Sequence, residues 1–180
     1  MTTPTPSPGA SLGRVTSSPR ALAIWALLVW AALQLFFTFL LWIFPTSVIS
    51  FTGRSQGAFM TFASLLTIAV PVLAVLLATH VEPALPEAKL VALIALIEYA
   101  FALLFGVLTF LIGLGSAFSN LDDPDGALYS FGEALAGIRY LVMGVVQLGL
   151  LAIAALVVYR AFTALGGRLP INRPSRPPAA

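Results

Sequence analysis

The chain has 180 residues, of which 59% are hydrophobic and 9% are charged, and its formal net charge at pH 7 is +2. So few polar side chains cannot cover the surface of a water-soluble globule of this apolar content, which argues against a soluble domain. The absence of cysteine excludes disulfide bonds, thiol catalysis, thiolate metal sites and lipid anchors attached through sulfur.

Both ends of the chain have the composition of polar tails. Residues 1–20 are rich in proline, serine, threonine and glycine, and such a segment cannot bury enough apolar surface to fold. We therefore predict a disordered N-terminal tail. Residues 166–180 are rich in proline and arginine and are predicted to form a second tail. Residues 21–165 between them are predicted to form a single transmembrane domain.

Four long apolar runs occupy this central region. The hydrocarbon core of a bilayer is about 30 Å thick and is crossed by roughly 20 residues of helix, and each run reaches that length. None of the runs alternates between polar and apolar residues, as the strands of a membrane barrel do. We therefore predict an all-α polytopic membrane protein. The four predicted spans cover about residues 21–44, 58–79, 90–118 and 134–159.

The connections between the runs predict how the spans are arranged. The loop between the second and third runs is short and contains Pro83 and Pro86, so these two helices should be antiparallel neighbours. The other two loops allow the same arrangement, which predicts an up-down-up-down antiparallel four-helix bundle. Pro71 lies inside the second run and cannot donate a hydrogen bond to the carbonyl four residues earlier. A kink in helix 2 at Pro71 is therefore predicted.

The distribution of basic residues predicts the orientation in the membrane. Lysine and arginine are concentrated in short segments on the cytoplasmic side of membrane proteins. An even number of spans puts both tails and the 81–89 loop on one side, and most of the basic residues lie there, whereas the opposite loops contain Arg54 and a group of acidic residues. We therefore expect both termini in the cytoplasm and, as the host, the plasma (inner) membrane.

Each span contributes one polar side chain to a possible layer inside the bilayer. Glu98 lies roughly 13 Å above the inner edge of span 3, if the edge is at Lys89 and the rise is 1.5 Å per residue. The same reckoning places Gln147, Gln34 and Thr67 at roughly 20 Å in their own spans. A buried carboxyl group without a cationic partner is expected to be uncharged at pH 7 because of its desolvation. This candidate polar layer is where any activity inside the bilayer would lie.

Two further features bear on the candidate polar layer. Pro71 frees the carbonyl of Thr67, and Gln147 or Gln34 could donate a hydrogen bond to it. Arg139 lies about 21 residues before Arg160, at the outer boundary, and roughly 18 Å from the level of Glu98. Its side chain is therefore expected to extend to the outer interface rather than to pair with the carboxylate.

Three interpretations of the candidate polar layer remain open. In the first interpretation the polar groups simply hold helices together, since interhelical hydrogen bonds contribute only about 0.6 to 2 kcal/mol each. Small residues on the same helix faces favour this interpretation. The alternatives are a site that responds to protons or ions, and a site for a lipid or a small apolar ligand. The small residues are Ala95, Ala102, Gly106 and Gly113 beside Glu98, and Gly137, Gly144 and Ala155 beside Gln147.

Motifs for catalysis and for cofactors are missing from the sequence. There is no phosphate-binding loop, dinucleotide fingerprint, zinc-protease motif or nucleophile elbow, and the acidic loop that contains Asp123 and Asp125 lacks the first and last ligands of an EF-hand. The basic residues form no patch with interleaved aromatic residues, so nucleic acid is not an expected partner. We expect a non-enzymatic protein without a cofactor.

The leading hypothesis is a scaffold or accessory subunit that acts by helix association in the lipid bilayer, with another membrane protein or a second copy as partner. A small proton-linked transporter or channel component that uses Glu98 is the first alternative. Binding of a lipid or of a small apolar ligand is the second.

Overall fold

A computed structural model describes residues 19–44, 49–80, 85, 87–118 and 127–167 of the chain. Every regular element in these ranges is a helix. The five helices are α1 (Pro19–Ile43), α2 (Phe51–Phe62), α3 (Leu65–Thr79), α4 (Ala88–Phe118) and α5 (Ala127–Ala164). Nearly all of both predicted tails, and the acidic loop between α4 and α5, lie outside the described residues.

Within the described ranges, four helical segments are long and apolar enough to cross a membrane. They are Pro19–Ile43, Phe51–Thr79, Ala88–Gly115 and Ala134–Ala164. The first, third and fourth are each one helix or part of one, whereas the second consists of α2 followed by α3. The prediction of an all-helical chain with four such segments is therefore confirmed.

The second segment is interrupted at Ala63 and Ser64, which the sequence did not predict. Ser64 is the N-cap of α3, and its hydroxyl accepts a hydrogen bond from the Thr67 N–H at 3.1 Å. The Thr67 hydroxyl donates to the carbonyl of Thr61 in α2 at 2.8 Å. These side chains replace helical hydrogen bonds at the junction, as capping residues do. Pro71 lies inside α3, and a bend at Pro71 itself remains a prediction.

The contacts of α1 with α2 and α3 join opposite ends of these helices. Near the start of α1, the Arg20 Nε donates to the carbonyl of Leu77, close to the end of α3, at 2.9 Å. Near the end of α1, the Trp42 Nε1 donates to the Ser55 hydroxyl, in the first half of α2, at 2.9 Å. The two segments therefore contact each other in opposite chain directions.

Helix α4 is the centre of the fold, because it packs against each of the other four helices. Gln56 of α2 donates to the carbonyl of Gly113, near the end of α4, at 3.2 Å. Lys89, at the start of α4, donates to the carbonyl of Gly166, just after α5, at 3.3 Å. Close approach of so many helices requires small side chains on α4. Its buried residues include four alanines, Ala88, Ala92, Ala95 and Ala102.

Candidate functional site

Glu98 is the buried acidic residue in the described part of α4. Its side chain is 6% exposed, and neither carboxyl oxygen has a hydrogen-bond partner among the described residues. Ala95, about one turn before Glu98, and Ala102, about one turn after it, are fully buried. The close packing of α4 against its neighbours therefore carries a carboxyl group into the apolar interior.

Tyr99, next to Glu98, is a site residue that sequence reasoning missed. Its hydroxyl donates to the carbonyl of Ile68 in α3. In α3 the Val72 N–H is the helical donor to the Ile68 carbonyl, and Pro71 lies between these two residues. A side chain inserted there supports a helix weakened by proline. The missed signal was a tyrosine in an apolar span, because a buried tyrosine hydroxyl usually finds a partner.

Thr67 is buried, with 4% of its side chain exposed, but its hydroxyl is already hydrogen-bonded. The hydroxyl donates to the carbonyl of Thr61 and lies 2.9 Å from the Ser64 hydroxyl. The Thr67 side chain therefore joins α2 to α3, and no described residue donates to the backbone carbonyl that Pro71 leaves free.

Gln34 lies on the outside of the described structure. Its side chain is exposed, and its amide makes no hydrogen bond to another described residue. Its backbone carbonyl accepts a hydrogen bond from the Thr38 hydroxyl at 2.7 Å. The amide therefore points away from Glu98 and is available to another molecule.

Gln147 is half-buried on α5, and its Oε1 is buried without a hydrogen-bond partner in the described ranges. A Cβ placed on Gly106 would lie 3.4 Å from the side chain of Leu148, which puts Gln147 near the level of Gly106. Gly106 follows Glu98 by eight residues, or about 12 Å along α4. Gln147 and Glu98 are therefore at different depths.

The structure thus does not bring the candidate polar layer together. Glu98 and Thr67 are interior residues, Gln147 is more than two helical turns away from Glu98, and Gln34 faces outward. Arg139 is exposed on α5, and its position at the outer interface remains a prediction. A functional role for these residues is likewise a prediction.

A cleft of about 220 Å³ lies between α1 and α2. Sequence reasoning counted Arg54 only as an outer charge, whereas the structure makes it part of the wall of this cleft. Trp42 and Thr38 line the cleft from α1, and Gly57 and Thr61 line it from α2. The cleft joins a cationic group to apolar walls, which is an arrangement that can hold an amphipathic molecule.

The described residues suggest no metal site, and no related protein indicates a function for the chain. In the described ranges, no three His, Cys, Asp or Glu side chains are grouped so that they could hold a metal ion. Comparison with protein-family models, with curated proteins and with solved structures finds no match. The candidate function therefore depends on the chain's own residues.

Proposed function

We propose that this chain is a non-enzymatic integral membrane protein that acts by association of its transmembrane helices, as a scaffold or accessory subunit. In this proposal the four apolar segments form an up-down-up-down bundle in the plasma membrane, with both termini in the cytoplasm. The length and apolar character of these segments and their contacts in opposite directions support the arrangement.

The exposed amide of Gln34 is the observation that carries the proposal. Gln34 follows Arg20 by fourteen residues, or about 21 Å along α1, so in a bilayer it lies within the hydrocarbon. The neighbouring surface residues Trp30, Leu33 and Phe37 are also exposed. An amide that faces lipid without a partner costs free energy, whereas a hydrogen bond to another helix removes that cost.

A second copy of the chain is the simplest partner for this face. A glutamine amide both donates and accepts hydrogen bonds, so two Gln34 side chains related by a two-fold axis satisfy each other. The aromatic and aliphatic neighbours on α1 would pack around the pair. We call this proposed interface the α1 face; it consists of Trp30, Leu33, Gln34 and Phe37.

Co-purification of two differently tagged copies tests this proposal. We expect the copies to purify together in mild detergent, and we expect Gln34→Leu to weaken their association about tenfold, which corresponds to about 1.4 kcal/mol and lies within the range for interhelical hydrogen bonds. Gln147→Leu is the matched control, because it removes the same amide from a partly buried position between helices. Association that survives Gln34→Leu unchanged would contradict the proposal.

A proton-linked transporter or channel component is the second candidate. The observation that favours it is Glu98, whose two carboxyl oxygens are buried without a described partner. A carboxyl group in the hydrocarbon region is costly and often belongs to an ion or proton pathway. On this second proposal Glu98 exchanges a proton with water during transport.

Replacement of Glu98 distinguishes the two candidates. If the protein acts by association, Glu98→Met should increase the free energy of unfolding by about 1 kcal/mol, because it removes a buried polar group without a partner. The vesicles that contain the purified protein should then hold an imposed pH gradient. If the gradient is dissipated by the native protein and kept with Glu98→Gln, the second candidate is correct.

A further inference from the structure

The cleft between α1 and α2 is at one end of the bundle. Arg54 is in the first turn of α2 and Trp42 is near the end of α1. Arg20 and Lys89 lie at the other end of the bundle. From Arg54 to Thr61 the cleft follows seven residues of α2, or about 10 Å. In a bilayer it therefore runs from the interface into the hydrocarbon.

Arg54 supplies the cationic group of the cleft. Its Nη1 donates to the carbonyl of Trp42 at 3.1 Å, and its guanidinium carbon lies 5.5 Å from the centre of the Phe51 ring. The contact with Trp42 satisfies one of the carbonyls left free at the end of α1. The Nε is buried and has no hydrogen-bond partner among the described residues. One task of Arg54 is thus structural, but the group retains an unused N–H.

An anion is the ligand that this arrangement favours. A guanidinium group has five N–H donors and binds phosphate or carboxylate oxygens through two of them at once. Arg54 forms no ion pair with any described residue, and its position in the first turn of α2 adds the positive end of the helix dipole. The part of the Arg54 guanidinium that lines the cleft is therefore available to an anion, whereas the buried Nε is not.

The rest of the cleft favours a ligand with an apolar tail. Leu41 and Ala58 contribute apolar walls, and Gly57 leaves the floor open, since a Cβ placed there would meet no atom within 4 Å. The hydroxyls of Thr38 and Thr61 donate to carbonyls of their own helices. The cleft is therefore cationic at its mouth and mainly apolar at depth.

We propose that this cleft binds an anionic phospholipid, with its phosphate group against Arg54 and an acyl chain along the floor at Gly57. The two residues changed in the test of this site, Gly57 and Arg54, are on α2, whereas the α1 face is formed by residues of α1. Trp42 holds the mouth in shape through its hydrogen bond to Ser55 and its stacking on Phe51, with ring centroids 5.6 Å apart.

Native mass spectrometry of the purified full chain with added phosphatidylglycerol tests the site. We expect the native protein to retain the lipid and Gly57→Leu, which fills the floor of the cleft, to bind it at least about tenfold more weakly. Gly149→Leu is the matched control, because Gly149 is also an exposed helical glycine with open space around it. Arg54→Gln should weaken binding by a similar factor, since a hydrogen bond to a charged group is lost.

Three other results would show that the cleft does not bind an anionic phospholipid. Equal retention by Gly57→Leu and the native protein would overturn the proposal. It would also fail if phosphatidylcholine bound as tightly as phosphatidylglycerol, or if glycerol phosphate, which has no acyl chains, displaced the lipid. Gly57→Leu keeps the test valid even if Arg54→Gln fails to fold, and tagged copies that still co-purify with Gly57→Leu would show that association is a separate property.

Discussion

At the residue scale, Tyr99 makes one of the most central hydrogen bonds between the described helices. Its ring is almost fully buried, and its hydroxyl donates to the carbonyl of Ile68 in α3. Pro71 removes one donor from this part of α3. The tyrosine hydroxyl therefore stabilises α3 where its own hydrogen bonding is weakest, and it fixes α4 against α3.

Removal of this hydroxyl should destabilise the protein. We expect Tyr99→Phe to lower the free energy of unfolding by about 1 kcal/mol, because the carbonyl of Ile68 loses the hydrogen bond from the tyrosine. Thermal unfolding in detergent measures the change. Tyr159→Phe, at an exposed position on α5, should leave stability unchanged, and an equal loss in both variants would contradict the role given to Tyr99.

The sequence assigned each residue of the candidate polar layer to a span, but it could not predict the direction of every side chain. Glu98 and Thr67 are interior, as an ionisable or polar residue in a bundle should be, whereas Gln34 faces outward. In a helix that is apolar on every side, the hydropathy pattern does not identify the buried face. The partner of Tyr99 depends on which carbonyl of α3 comes near, and this follows from packing.

At the element scale, α4 and α5 are held close by glycine. A Cβ on Gly144 of α5 would collide with the ring of Phe110 on α4, and a Cβ on Gly113 of α4 would collide with the Tyr140 hydroxyl. The sequence predicted that both glycines lie on faces built for close approach. It did not predict that an aromatic ring fills the space above each glycine, since that requires the relative register of the two helices.

A larger residue at Gly144 should therefore separate the helices. We expect Gly144→Val to lower the free energy of unfolding by about 1 to 3 kcal/mol, the usual cost of forcing extra atoms into a packed contact. Gly149→Val makes the same change on the same helix in open space and should have little effect. Equal thermal stability of the two variants would show that α5 does not pack on α4 as described.

The break between α2 and α3 is the element that the sequence failed to predict. Hydropathy is continuous across Ala63 and Ser64, and a lone serine is compatible with a continuous helix. The available signal was a serine at position 64. The side chain of an N-cap serine accepts a hydrogen bond from the N–H three residues later, which here belongs to Thr67. Because α2 also begins at Phe51, seven residues before the predicted start of span 2 at residue 58, the second segment is longer than predicted.

At the scale of the whole molecule, basic residues lie at both ends of the helical segments. Arg20, at the start of α1, contacts the end of α3, and Lys89, at the start of α4, contacts the chain just after α5. Arg54 lies at the other end, beside the end of α1. We propose that the end with Arg20 and Lys89 is cytoplasmic, because lysine and arginine are concentrated on the cytoplasmic side of membrane proteins.

Cysteine labelling tests the proposal that the four helical segments cross a membrane with both termini in the cytoplasm. The natural chain contains no cysteine, so single substitutions at the exposed positions Ile49, His80 and Leu165 report one site each. We predict that a membrane-impermeant maleimide labels Ile49→Cys in intact cells, and labels His80→Cys and Leu165→Cys only after the membrane is opened. Labelling of His80→Cys or Leu165→Cys in intact cells would contradict the account.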